Sequence, residues 1–239
     1  IAFMPLNVAA KAYNLSEKIK CVAICGNGNL SLVTKDANIK QFSDIKDKEV
    51  YVAGQGSTPE YMFLYLLNQN GIKANLNFSV PTANIPSYLI ENQIDYAVLP
   101  EPFATIATNK DSNLKKAIDL QEEFKKINKE FENYPLTVIV CTKEFAKKNP
   151  TLVKDFLDEY KKSLENTLNH PKIAAEYTQK HELGLNAQIV EKIIPYSSYV
   201  YVPANQAKEQ IYNLLNIFQQ IDKKSIGPKL PDDNFFYSE

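Results

Sequence analysis

Short apolar runs of strand length alternate with longer stretches of helical spacing along most of this chain. Ile1-Ala2-Phe3-Met4-Pro5 reads as a short buried strand that leads straight into a helix over residues 7–13. Residues 20–33 are strand-rich, but Gly26-Asn27-Gly28-Asn29 places a turn signal inside the run, so two strands meet there or one bends. A buried strand over 48–53 ends in the loop Gly54-Gln55-Gly56-Ser57-Thr58-Pro59. A helix over 60–70 follows. Ser57 or Thr58 can cap it, Pro59 suits the first turn, and Gly71 supplies the stop. This helix is apolar nearly all round (Met62, Phe63, Leu64, Tyr65, Leu66, Leu67), which predicts deep burial.

Strand patterns over 76–80 and 96–99 flank a helix over 85–92, and the second strand runs into Pro100-Glu101-Pro102. Strand, helix, strand, helix, strand at such short intervals predicts an α/β unit with a parallel sheet. Residues 136–140 read as a further strand. From Pro150, capped by Asn149, a helix carries Leu152, Val153, Phe156, Leu157, Tyr160, Leu164 and Leu168 on one stripe. A last helix over 204–221 has Ile211, Leu214, Leu215 and Phe218 as its core face. The tail Gly227-Pro228-Lys229-Leu230-Pro231-Asp232-Asp233 has no periodicity and reads as an extended surface segment.

The chain has 239 residues, 44% of them apolar, enough for one large domain or two modest ones with a real core. The net charge is −1, with no basic stripe, which argues against a nucleic-acid partner. No apolar run approaches the roughly 18 residues of a membrane span. All 27 basic side chains are Lys, and Trp is absent. A pocket here therefore cannot grip an anion with the planar fork of Arg. Cys21 and Cys25 fall on one strand, where four residues span about 13 Å, too far for a disulfide. Cys21, Cys25 and Cys141 are expected to be free and buried. His170 and His181 have no acidic or thiol partner at ligand spacing, so neither a metal site nor a cofactor is expected.

Four of the seven glycines fall in two loops that follow strands, Gly26/Gly28 and Gly54/Gly56. Met4-Pro5-Leu6-Asn7 and Pro100-Glu101-Pro102 also follow strands, the place where open α/β sheets bind ligands. Each loop can equally be an ordinary tight turn. Together they point to one site. The 54–59 loop lacks the Lys of a P-loop and the third glycine of the dinucleotide fingerprint. It does offer helix N–H groups and two hydroxyls to a ligand oxygen. Glu101 is the one acid in these loops, and Tyr61 and Phe103 are the nearest rings for stacking on a flat ligand. No nucleophile lies beside a base, so no catalytic residue is expected. A neutral or cationic ligand, or an anion held by backbone amides, fits this inventory.

In order along the chain, several segments resemble the solute-binding proteins of ABC importers, in the family of nitrate, sulfonate and thiamine-precursor receptors. They are Ile1-Ala2-Phe3-Met4-Pro5, Leu32-Val33-Thr34-Lys35, Phe42-Ser43-Asp44-Ile45-Lys46 and Gly54-Gln55-Gly56-Ser57-Thr58-Pro59. Tyr96-Ala97-Val98-Leu99-Pro100-Glu101-Pro102-Phe103, Cys141-Thr142-Lys143-Glu144-Phe145-Ala146 with Asn149-Pro150, and the closing Ser225-Ile226-Gly227-Pro228-Lys229-Leu230-Pro231-Asp232-Asp233 continue the match.

The resemblance implies a two-lobed α/β fold of the type II periplasmic-binding kind. Lobe 1 would comprise 1–40 and 140–239, and lobe 2 would comprise 41–139. Residues 32–35 and 136–142 would be the crossing strands of a hinge. Family members carry a strand–helix–strand of lobe 1 ahead of the segment matching Ile1, and that part is expected to be missing here. The ligand would lie between the lobes, and the partners would be an ABC permease and its ATPase. The place of action would be extracytoplasmic, with membrane contact only through a possible lipid anchor outside this chain. From lobe 1 the candidate contacts are Pro5, Asn7, Asn27 and Asn29. From lobe 2 they are Gly56, Ser57, Thr58, Glu101 and Tyr134. Enzymes of pyrimidine and menaquinone pathways share the fold, but the synthases among them use His and clustered Cys, which are dispersed here. A sensor domain of a regulator would need a DNA-binding partner domain that these residues do not supply.

Overall fold

The computed structural model describes residues 1–238. The chain divides into two compact units, Ile1–Asn27 together with the chain from Tyr134 onward, and Gly28–Asn133.

Along the chain, the first unit opens with β1 (Ala2–Pro5), α1 (Leu6–Ser16) and β2 (Ile19–Asn27). The second unit follows. It begins with β3 (Leu30–Thr34), β4 (Glu49–Val52), α2 (Thr58–Gln69) and β5 (Asn75–Asn77). It continues through α3 (Ile85–Ile90), β6 (Tyr96–Pro100), α4 (Phe103–Lys110), β7 (Lys115–Asp119) and α5 (Leu120–Ile127). The chain then returns to the first unit with β8 (Pro135–Thr142), α6 (Lys143–Lys148) and α7 (Pro150–Asn169). α8 (Pro171–Lys180), α9 (Ala187–Ile193), β9 (Tyr199–Pro203) and α10 (Lys208–Ile221) complete it.

In the first unit, four strands lie in the order β1-β8-β2-β9, every neighbouring pair antiparallel. β2 is buried without alternation from Cys21 to Gly26. A strand covered on both faces reads as such a continuous apolar run. Val22, Ala23, Cys25, Ile139 and Cys141 pack with Val153 and Leu157 of α7 to form one core. Two register shifts in β2 near Gly26 mark the predicted turn signal, and the turn falls where one unit ends and the other begins.

Three expectations are corrected in this unit. β1 is not buried: it is the edge strand, and Ile1 and Phe3 are 46% and 53% exposed. The stripe of α7 is narrower than its sequence suggests, with Leu152 and Leu168 exposed and only Val153 and Leu157 fully covered. Asn149 makes no side-chain cap on α7; its amide donates back to Phe145 O at the end of α6. The core face expected on α10 is buried as read: Ile211, Leu214, Leu215 and Phe218.

The tail is also more than a loose surface segment. Asn14 Nδ2 donates to Ile226 O and Lys229 O, and Tyr13 Oη donates to Asp232 Oδ1 at 2.6 Å. Ile226, Phe235 and Phe236 are buried, and Tyr237 N–H donates to Cys21 O. The tail therefore closes over α1 and β2. Aperiodic sequence hid this, because single anchors such as Phe235 carry no repeat.

All three cysteines are free and buried. Burial pushes the Cys25 thiol up to about 12 and raises Cys21 and Cys141 as well. The thiolate is the reactive form, so a thiol-specific disulfide reagent at neutral pH is expected to modify none of the three until denaturant is added, and then all three. Rapid native labelling of Cys25 would contradict this packing.

The second unit is a five-stranded sheet in the order β5-β4-β6-β3-β7. β4 is parallel to β5 and β6, but β3 lies antiparallel between β6 and β7. The parallel sheet expected from the strand–helix alternation is thus a mixed one. β3 enters from the first unit rather than through a helical crossover, which permits the reversed direction. α2 is buried along Tyr61, Met62, Phe63, Leu66 and Leu67, while Leu64 and Tyr65, expected to share that burial, are only half-covered. Gly71 ends it at φ +64°.

Both expected lobe boundaries move. Residues 28–40 belong to the second unit, because β3 is hydrogen-bonded on both sides within its sheet. Residues 134–139 belong to the first, because β8 pairs with β1 and β2. The stretches 32–35 and 136–142 therefore lie inside sheets, and the chain changes unit at Asn27–Gly28 and Asn133–Tyr134.

Candidate functional site

Within the second unit, β4, β6 and β7 run in the same direction and β3 runs against them. Their carboxyl ends share one edge of the sheet with the start of β3. That edge gathers the Gly54–Thr58 loop after β4, Glu101 after β6, Asn29 before β3 and Asp119 at the end of β7. The pairing register makes this explicit: Leu30 lies opposite Pro100 and Ser31 opposite Asp119, and Glu101 N–H donates to Asn29 O.

The loop before α2 is built from two glycines in the left-handed region. Gly54 has φ +72° and Gly56 φ +73°. No atom lies within 4 Å of where a Cβ on Gly56 would be, so the backbone there is open to approach. Ser57 sits at the N-cap position of α2 without capping it. Its hydroxyl donates instead to Gly54 O at 2.5 Å, bracing the turn. Thr58 is fully buried as the first helical residue. Gly56 N–H was expected to face a ligand. It donates to Glu60 Oε2 at 2.5 Å, so a carboxylate of the same helix already occupies this position. Tyr61 is buried, which removes it as a stacking surface, and Phe103 is half-buried against the apolar core of the unit.

Glu101 reaches the edge, but its carboxylate is engaged internally. Lys116 Nζ contacts Oε1 at 2.5 Å and Thr105 Oγ1 at 2.8 Å, and Thr105 N–H donates to Oε2. The Glu101 side chain is 3% exposed. Charge compensation rather than a free acid is what this carboxylate provides.

Asp119 and Gln121 are absent from the sequence-derived set. Asp119 caps α5, accepting from Gln121 N–H and Glu122 N–H. Burial raises its carboxyl above the usual range despite those two bonds. Gln121 is 9% exposed, and its Nε2 donates to Glu132 O at 2.6 Å. The signal for Asp119 in the sequence is its place ahead of Leu120 with Glu122 and Glu123 following, the pattern of a helix N-terminus.

In the first unit, β1 and β2 both run against β8 and hence alongside each other. Pro5 and Gly26 both lie opposite Thr137, and Asn27 opposite Pro135. Pro5 and Asn27, at the ends of β1 and β2, thus share one sheet edge with Tyr134, which precedes β8. Asn27 N–H donates to Ser198 O, which brings the start of β9 and Tyr199 to the same edge. Tyr134 is fully buried. Asn7 turns away from the role expected of it: it is 1% exposed, and its Nδ2 donates to Ser225 O, tying α1 to the tail. A separate groove of about 960 Å³ lies between α7, α8 and α9, lined in part by Tyr160, Tyr177, Tyr199 and His170. None of the sequence-derived site residues lines it.

Residues 7–174 match the NMT1/THI5-like family model. The chain belongs to the NMT1/THI5-like family. Among solved structures, an ABC transporter protein from Parabacteroides distasonis is 27% identical and superposes with a TM-score of 0.84, over 100% of this chain and 80% of that one. The periplasmic aliphatic sulphonate-binding protein of Escherichia coli is 15% identical with a TM-score of 0.75, over 99% of this chain and 74% of that one. The ligand-binding component of an ABC-type import system from Staphylococcus aureus is 17% identical with a TM-score of 0.71, over 98% of this chain and 79% of that one. No curated protein matches. The fold of this NMT1/THI5-like chain is that of the periplasmic binding proteins, as its ordered motifs implied.

Proposed function

We propose that this chain is the solute receptor of an ABC importer. It acts outside the cytoplasmic membrane, binds one small molecule, leaves it chemically unchanged and delivers it to a permease driven by an ATPase. The observation that carries this reading is the whole-length likeness to an ABC transporter structure. The way each unit gathers its strand-end loops at one sheet edge supports it, because ligands of α/β sheets bind there. Asn29, Gly56 and Ser57 of the second unit and Pro5 and Asn27 of the first are the proposed contacts.

Native mass spectrometry of gently purified protein tests the reading. A bound small molecule at one per chain, released intact after prolonged incubation, is the expected result. Recovery of a chemically altered product would move the assignment to an enzyme of the same fold.

Ser57→Ala tests the loop. Loss of the hydroxyl is expected to weaken binding of that co-purified solute by about 1–2 kcal/mol, because a donor or acceptor at the ligand goes unmet. Stability should fall by less than about 1 kcal/mol, since Ser57 does not cap α2 and only its bond to Gly54 O is lost. Unchanged affinity with a lower melting temperature would assign the hydroxyl to bracing the turn alone.

A further inference from the structure

The far end of the first unit's sheet carries a hollow that the strand-end loops do not reach. β2 begins there and β8 ends there, with Ile19 opposite Thr142 and Lys20 opposite Cys141. Pro5 and Asn27 lie at the other end of the same sheet, roughly 20 Å away along β2. The hollow has a volume of about 500 Å³, a size that holds a small molecule. Lys20, Lys143, Lys147 and Lys154 line it, with Ala146 and Tyr237. Among the described residues, no Asp or Glu lines it.

Local structure gathers these lysines. Thr142 caps α6 by accepting from Phe145 N–H, which sets Lys143 in the first turn and Lys147 one turn later on the same face. α7 follows from Pro150 with no acidic residue in its first turn, and Lys154 lies one turn in. Lys20 joins them from the neighbouring strand.

Their charges are not matched. Lys154 pairs with Asp158. Lys20 Nζ donates to two backbone carbonyls of the tail, Asn234 O at 3.0 Å and Phe236 O at 3.2 Å, and both partners are neutral. Lys143 Nζ lies 5.1 Å from the centre of the Tyr13 ring. Among the described residues, neither Lys143 nor Lys147 forms a salt bridge. Burial and the charge of Lys143 hold the Lys20 ammonium below the usual lysine range. Asp232 offsets part of this, but its carboxylate already accepts from Tyr13 Oη and Asn234 N–H. Cations crowded in a recess are costly until an anion joins them. With no Arg in the chain, anion recognition falls to Lys, a point charge well suited to phosphate.

We infer that this hollow is a second binding site, apart from the solute edge, and that it takes a phosphate-bearing group, with Lys20, Lys143 and Lys147 supplying the charge. A phosphate monoester brings nearly two negative charges and three acceptor oxygens at neutral pH, which a single carboxylate does not. The group comes either on a free compound or at the head of an anionic phospholipid.

The test uses the full chain, ¹⁵N-labelled, titrated with glycerol 3-phosphate and with sodium chloride at matched ionic strength. Glycerol 3-phosphate is expected to shift the backbone amides of Lys143, Lys147 and Thr151, and chloride to leave them in place. Lys147 is exposed and makes no hydrogen bond or ion pair among the described residues, so Lys147→Glu keeps the fold. It should weaken glycerol 3-phosphate roughly tenfold or more, the loss of one charge-assisted contact. Lys172→Glu makes the same change of net charge on α8, outside the hollow, and should leave affinity within about twofold because salt screens it.

Co-sedimentation with phosphatidylglycerol vesicles separates the two sources. Retention that Lys147→Glu abolishes and Lys172→Glu keeps assigns the group to a lipid head. Glycerol 3-phosphate binding without retention assigns it to a free compound. Equal shifts with chloride would overturn the inference. So would a response to neither probe, or an affinity that Lys147→Glu lowers no more than Lys172→Glu does.

Discussion

Phe235→Ala is expected to destabilise the first unit by about 3–5 kcal/mol, the cost of emptying a fully buried aromatic site. Phe235 has no exposed surface, and its ring meets Tyr13 at 5.2 Å and Phe236 at 5.4 Å between centroids. Tyr13 in turn holds Asp232. Removing the ring leaves a void bounded by α1 and loosens the tail that closes over β2. Urea unfolding at neutral pH measures the effect. Asp232→Asn is the milder companion: it weakens the Tyr13 contact and leaves the apolar packing in place. A loss below about 1 kcal/mol for Phe235→Ala would mean that the tail is not docked as described.

Glu101→Ala should be nearly as costly, about 3 kcal/mol, at the lower end of what breaking a buried ion pair costs. The lower end applies because the Lys116 side chain keeps 20% of its surface in water and can reach solvent when its partner is gone. The variant takes the carboxylate from Lys116, leaving its charge, of the contacts named above, with only the Thr105 hydroxyl, and frees Thr105 N–H, which Glu101 now satisfies. Glu101→Leu combined with Lys116→Met should recover much of the loss, since a matched apolar pair carries no desolvation cost. This pair of variants separates two roles for Glu101. Lost stability with retained solute affinity fits a structural ion pair. Lost affinity at unchanged stability would return the carboxylate to the ligand.

Much of the architecture was legible in the residues. β2, β4, β6, β8 and the helices α2, α7 and α10 come from apolar runs and stripes, where the period itself reports which side is covered. The positions of the loops after strands predicted which of them share an edge, because direction within a sheet fixes where carboxyl ends lie. Pro5 with Asn27, and Gly56 with Glu101, are such cases.

Partnership was not legible. Sequence position set Asn7, Glu101 and Gly56 at loops that face ligands in this fold. Only the packed structure shows that Asn7 bonds Ser225, that Lys116 neutralises Glu101 and that Glu60 caps Gly56. Hydrogen bonds between residues far apart in sequence leave no periodic trace. The same reason hid Gln121, whose Nε2 donates to Glu132 O.

By itself, then, the sequence determined the α/β class, the main strands and helices, the free buried cysteines and the set of strand-end loops. Those follow from local pattern and from the chemistry of each side chain. The tertiary structure decided that β3 joins the second unit's sheet, that β1 lies at an edge, that the tail is an anchored closure, and which polar groups remain unpaired. Each of those depends on which surfaces and polar groups meet across the chain, and that is fixed only when the units pack.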